Sequence, residues 1–187
     1  MRAMTMWVAA VALAWSATAS AVEVGGIRLD EKANVGGQEL VLNGAGVRTR
    51  VFIKVYVASL WLPAKASALS GVLAKGPRRV QMNLLRDLSA DQLVNALVDG
   101  LKDNNSEAEL ASVKAQVDQM VATMKAFNEV KEKDVVALDF VDGATKITLN
   151  GQAKTWIPGD AFNAALMKVW LGDKPVQADL KKAMLGG

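Results

Sequence analysis

The sequence predicts an α+β domain, an antiparallel sheet with helices segregated to one side. Three observations carry this expectation. Glycine pairs and Asx-Gly pairs punctuate short β-branched runs in two blocks of the chain. Two Ser-x-x-Gln/Glu capping boxes open helices between those blocks. The composition, 51% apolar and 22% charged in 187 residues, supports one ordinary core and rules out wholesale disorder.

The elements follow in order. Arg2 precedes an uncharged run from Trp7 to Trp15 and a small-residue close, Ala19-Ser20-Ala21. This is the layout of a secretory leader, residues 1–21, cleaved after Ala21. The run is shorter than the roughly 20 apolar residues of a bilayer span, so no stable membrane span is expected. Arg2 is the only charged residue removed with the leader, which takes the formal charge from +3 to +2. A chain so near neutrality is not expected to bind nucleic acid. Export of a chain with no cysteine suits a bacterial periplasm, or secretion. Residues 22–187 show no linker or repeat and are read as one domain.

From Val22 to Pro63 the chain reads as successive strands. Gly25-Gly26, Gly36-Gly37 and the Asn43-Gly44-Ala45-Gly46 segment mark breaks, and Val51 to Leu62 reads as one nearly unbroken apolar strand covered on both faces. A short helix over Ala66 to Lys75 and a strand over Arg79 to Arg86 follow. The box Ser89-x-x-Gln92 opens a helix with Leu93, Ala96, Leu97 and Leu101 on one face. The box Ser106-x-x-Glu109 opens a second helix with a stripe of Leu110, Val113, Val117, Met120, Met124 and Phe127. Fewer than three heptads make that stripe a packing face rather than a coiled-coil seam. Asp134 to Leu149 is a hairpin turning at Asp142-Gly143, since Asp-Gly accepts the positive φ of a type I′ turn. Asn150-Gly151 repeats the signal before Lys154 to Ile157. Pro158-Gly159-Asp160 then caps a helix ending at Gly172, and a last helix spans Gln177 to Leu185.

With neither cysteine nor histidine in the chain, thiol nucleophiles, disulfides, Cys/His metal sites and imidazole bases are excluded. No cofactor is expected. Asp99, Asp103 and Glu107 read as solvated helix positions, not a metal site. Trp61, Trp156, Trp170, Met82, Met120, Met124 and Met167 could line an apolar pocket, though packing accounts for most of them.

The element Gly44-x-Gly46-x-Arg48, followed by Lys54-Val55-Tyr56 and closing on Trp61-Leu62-Pro63, resembles the signature segment of the chalcone-isomerase fold. The helix opened at Leu88-Ser89, the later hairpin and the closing stretch from Phe162 to Met184 agree in order. The resemblance implies an open-faced β-sandwich, a large antiparallel sheet with helices packed on one face and a ligand cleft between them. It is closest to the exported bacterial branch. Of the residues around the substrate in the plant isomerases, only the Arg is matched, by Arg48. Tyr56 stands at a Thr position, Leu93 at the Tyr, Gly100 at the Asn, and Asn163 or Ala164 near the final Thr/Ser. Loss of those donors leans against enzyme activity. In the plant fatty-acid-binding branch an Arg and a Tyr hold a carboxylate, and Arg48 and Tyr56 resemble that pair.

Eight residues of extended chain would part Arg48 from Tyr56 by about 26 Å, at about 3.3 Å per residue. Either the chain bends near Thr49 to Val51, or Lys54 is the cation nearest Tyr56. Arg48 reads as an anion clamp or a strand-end arginine, Tyr56 as a ligand contact or core filler, and Lys54 as a snorkelling stem or a cleft ammonium. The ligand-binding candidates are thus Arg48, Tyr56, Lys54 and Asn163. The expected function is non-catalytic binding of a fatty acid or similar amphipathic carboxylate, and the expected partner is a small amphipathic or aromatic ligand. An isomerase-type lyase acting on an enone and a partner-binding module are the alternatives.

Overall fold

In chain order the computed structural model, which describes residues 21–187, contains β1 (Ala21–Val24), β2 (Ile27–Asp30), β3 (Lys32–Val35), β4 (Gln38–Arg50), β5 (Ile53–Leu62), α1 (Leu69–Val72), β6 (Arg78–Leu84), β7 (Leu88–Ser89) and α2 (Ala90–Asn104). It continues with α3 (Glu107–Ser112), α4 (Lys114–Lys125), β8 (Glu129–Val130), β9 (Val135–Val141), β10 (Ala144–Leu149), β11 (Gln152–Pro158), α5 (Asp160–Leu171) and α6 (Ala178–Met184). The leader expected over residues 1–21 lies, but for Ala21, outside the described residues. Among those described, no helix is long and apolar enough to cross a membrane.

Five hairpins are closed by two-residue turns with positive φ at both positions: Gly25-Gly26, Gly36-Gly37, Val51-Phe52, Asp142-Gly143 and Asn150-Gly151. Both values positive is the type I′ signature, whose twist matches that of the flanking strands. Four of these turns carry the Gly, Asn or Asp that such backbone favours. The fifth, Val51-Phe52, carries a β-branched residue and an aromatic (φ 47° and 65°), and lies inside what reads in sequence as one continuous strand. The strand itself starts later, and only Val57 to Leu62 is buried on both faces.

The turns fold the chain into a seven-stranded antiparallel sheet ordered β11-β10-β9-β6-β5-β4-β3. One face carries the main core. Ala58, Leu60, Leu62, Val80, Leu138, Ile147 and Ile157 pack there against Val94, Leu97 and Leu101 of α2, Met120 and Met124 of α4, Phe162, Leu166 and Trp170 of α5, and Leu180 and Met184 of α6. On the other face the β1–β2 hairpin covers one edge, burying Leu29, Leu40, Leu42, Val57 and Trp61. Beyond that hairpin the face is polar. The neighbouring positions Arg79, Asp139, Lys146 and Trp156 run across four strands, with Arg79 bidentate to Asp139 at 2.5 and 2.7 Å and Lys146 over the Trp156 ring. The α+β class and the helices on one face stand as the sequence predicts.

Three local readings differ. Gly44 and Gly46 do not make a turn; they sit within β4, where α6 crosses so closely that a Cβ at Gly44 would lie 2.1 Å from the Ala183 carbonyl oxygen. Asn43 is buried beside them and ties this crossing together. Its Nδ2 donates to Met184 O and Ala66 O, and its Oδ1 accepts from Ala66 N. The helix opened at Ser106 is two helices, because Val113 leaves helical geometry (φ −116°, ψ 16°), yet Val113, Met120 and Met124 are buried as a packing stripe should be. The Gly159 N-cap of α5 has φ 126° and no side-chain capping bond, so Asp160 begins the helix rather than capping it.

Candidate functional site

The Val51-Phe52 turn settles how Arg48 and Tyr56 relate. It reverses the chain between them, so they become directly opposed partners of β4 and β5. A register shift between Arg48 and Thr49 leaves Val55 as the extra residue of β5 and pairs Lys54 with Thr49 instead. The chain therefore bends where the 26 Å objection required it to, and Lys54 is not needed as the cation.

Arg48 is half-buried. Its Nη1 donates to Thr49 O at 2.6 Å and to Gln177 Oε1 at 3.3 Å. Gln177, the residue before α6, also accepts from Thr49 N and donates to Val47 O, so one amide side chain fixes the strand and one arm of the guanidinium together. Tyr56 lies deeper. Burial raises its hydroxyl above the ordinary phenol range, with the hydrogen bond from Trp170 and the Arg48 charge pulling partly back. Trp170 Nε1 donates to the Tyr56 oxygen at 3.2 Å, which leaves the phenolic proton for an acceptor.

Beside this pair is a mostly apolar hollow of about 240 Å³ between the β4–β5 hairpin, the end of β6 and the first turns of α2. Val51, Ile53, Val55, Leu88, Leu93, Ala96 and Val176 line it, with Arg48, Arg50 and Arg86 as its cations. It ends on packed side chains, since Tyr56, Val55 and Leu93 also join the cluster of Leu84, Leu88, Val130 and Val136. A more polar vestibule of about 530 Å³ adjoins it and shares Arg48, Arg50, Gln92, Ala96 and Val176. The Ser89/Gln92 capping box sets the start of α2 against this opening. A fixed guanidinium, a free phenolic proton and an apolar wall can hold a carboxylate whose tail is oily.

The other sequence candidates fall elsewhere. Lys54 is exposed and lines neither the hollow nor the vestibule. Asn163 is buried away from both; its Oδ1 accepts from Arg78 Nε and Nη2, and its Nδ2 donates to Thr145 Oγ1. Arg78 also donates to Ala74 O and lies 4.1 Å above the Phe140 ring. Burial lowers the pKa of Arg78 and Asp160 raises it. A separate cleft of about 500 Å³ opens there, but the Asn163 and Phe140 contacts already occupy much of its guanidinium. Leu93 gives the hollow an isobutyl wall, and Gly100 admits the Val169 side chain of α5, so neither position supplies a donor. Sequence reasoning missed Gln177, Arg50 and Arg86. Gln177 carries no signal before the fold brings α6 to β4, whereas Arg50 and Arg86 were visible as cations flanking strands.

The model of a family described as chalcone isomerase-like matches residues 21–186. No curated protein matches the chain by sequence. Among solved structures, that of a fatty-acid-binding protein from Arabidopsis thaliana is similar, with a TM-score of 0.68 at 10% identity over 89% of this chain and 96% of the plant chain.

Proposed function

The chain belongs to the chalcone isomerase-like family, and from that premise we propose that it is a non-catalytic binding protein whose hollow takes the acid end of a fatty acid or similar amphipathic carboxylate. The observation that carries the reading is the direct opposition of Arg48 and Tyr56 at an apolar hollow. A guanidinium and a phenol together supply two or more donors to one carboxylate, and the surrounding Val, Ile and Leu side chains offer nothing polar to compete. The similar plant structure is of a fatty-acid-binding protein, which supports the ligand class.

Titration of delipidated protein with dodecanoate tests this, because Trp170 touches Tyr56 and reports on the site. A saturable change in tryptophan fluorescence, with acyl species in organic extracts of the protein as first purified, is the expected result. Absence of both refutes the assignment. The leader reading accompanies it: residues 1–21 would direct export, and the protein recovered from a periplasmic fraction would begin at Val22. A recovered chain that still carries Met1 would refute that part alone.

A further inference from the structure

The β4–β5 turn is the most exposed apolar feature among the described residues: Val51 is 79% exposed, Phe52 99% and Ile53 50%. Three consecutive apolar side chains at a hairpin tip are unlike the scattered surface hydrophobics of a soluble protein. The same two central residues hold positive φ, where a β-branched side chain is a real outlier. Every other two-residue turn here uses Gly, Asn or Asp. The Val-Phe pair therefore weakens the turn, and Phe52 returns almost no packing for it.

The surroundings indicate what the tip meets. Arg50 and Lys54 flank it on the two strands, and Arg48 and Arg86 lie just behind at the hollow. No acidic residue occurs between Glu39 and Asp87. Of the nearby carboxylates, Asp87 is engaged by Lys131 and by the Glu132 amide, and Asp99 and Asp103 line the vestibule along with Lys174. An apolar tip with a cationic collar matches a surface whose outer layer is anionic and whose interior is hydrocarbon.

We infer that the Val51–Ile53 tip is a docking finger for an anionic lipid bilayer, inserting Phe52 below the headgroups while Arg50 and Lys54 pair with lipid phosphates. Val51 and Ile53 are also walls of the hollow, so insertion sets its mouth against the acyl layer, where a fatty acid can pass between membrane and protein. That last step rests on the function proposed above; the docking itself does not.

Flotation with vesicles tests the docking in the absence of any fatty acid. The mature chain is expected to float with vesicles containing phosphatidylglycerol and to stay behind with pure phosphatidylcholine. The double variant Val51→Asn/Phe52→Gly installs a favoured type I′ pair, so its thermal midpoint stays level or rises while its bound fraction falls roughly tenfold or more. The variant Arg50→Gln/Lys54→Gln removes the salt dependence of binding. Dodecanoate titration of the single variant Phe52→Gly, whose exposed side chain lies outside the lining of the hollow, is expected to match wild type while its flotation falls, which separates docking from ligand binding. Failure of the wild type to float, or equal flotation of Val51→Asn/Phe52→Gly, overturns the inference. So does a lipid-free dimer that this double variant dissolves, since the tip would then serve a second copy of the chain.

Discussion

Gly44→Ala will destabilise the protein by about 3 kcal/mol or more, read as a fall in the urea midpoint at unchanged slope. The added Cβ would stand 2.1 Å from Ala183 O and 2.9 Å from Met184 O. Both are backbone atoms at the end of α6, so no rotamer change relieves the overlap. The helix must lift away from β4. That motion breaks the Asn43 bond to Met184 O and uncovers Leu180 and Met184, both buried in the main core. It also carries Gln177 away from Arg48 and Thr49, so the site loosens with the fold. Gly46→Ala is the internal comparison. There the new Cβ meets the Ala183 methyl, which moves only with its helix, at 2.8 Å, and the Leu180 Cδ1, the end of a rotatable side chain, at 3.1 Å; the overlap is milder than at Gly44, and a loss of about 1–2 kcal/mol is expected. Equal, small losses at both positions would show that α6 does not depend on the close crossing.

The same pair of glycines shows why some of the fold could be read from sequence and some could not. Local backbone chemistry is written in residue type, so Gly25-Gly26, Gly36-Gly37, Asp142-Gly143 and Asn150-Gly151 stand out and mark four of the five two-residue turns. The capping boxes at Ser89 and Ser106 likewise state where helices start, and both form with reciprocal bonds. Gly44 and Gly46 carry the same letter for a different reason: they make room for a helix more than 130 residues later in the chain, which no local rule registers. Val51-Phe52 fails in the opposite direction. Its residues belong to a strand by propensity, and the register of β4 against β5 overrides them. Because that one turn was hidden, the convergence of Arg48 on Tyr56 was hidden too, although both residues were nameable from the segment they share. Asn163 was nameable in the same way, yet the buried Arg78 beside it, fixed only by tertiary packing, claims its amide.

Arg48→Gln is expected to weaken dodecanoate binding by about tenfold to a hundredfold, since a charge-assisted bond to a partly buried carboxylate contributes about 1.5–3 kcal/mol. Stability should change little, because Gln177 retains its bonds to Thr49 N and Val47 O when the guanidinium is gone. Arg48→Lys restores the charge but not the fork, and should recover only part of the affinity. Tyr56→Phe separates the two members of the pair by kind. It removes one neutral donor to the ligand, a loss of about threefold to tenfold in affinity, and it strips Trp170 Nε1 of its acceptor in a largely buried place, at a cost of about 1–3 kcal/mol in stability. Arg48 is thus the residue whose loss falls on binding, and Tyr56 the one whose loss is divided between binding and the fold. The pH dependence follows from the ligand. With the Tyr56 pKa raised, its phenol stays protonated through neutral pH, so wild-type affinity should decline only as the fatty acid itself protonates, below the ordinary carboxylate range of about 4–5. In Arg48→Gln that decline should flatten, because a neutral amide gains little from the charge that protonation removes. An acid limb equally steep in both proteins would mean that the carboxylate is held somewhere other than at Arg48.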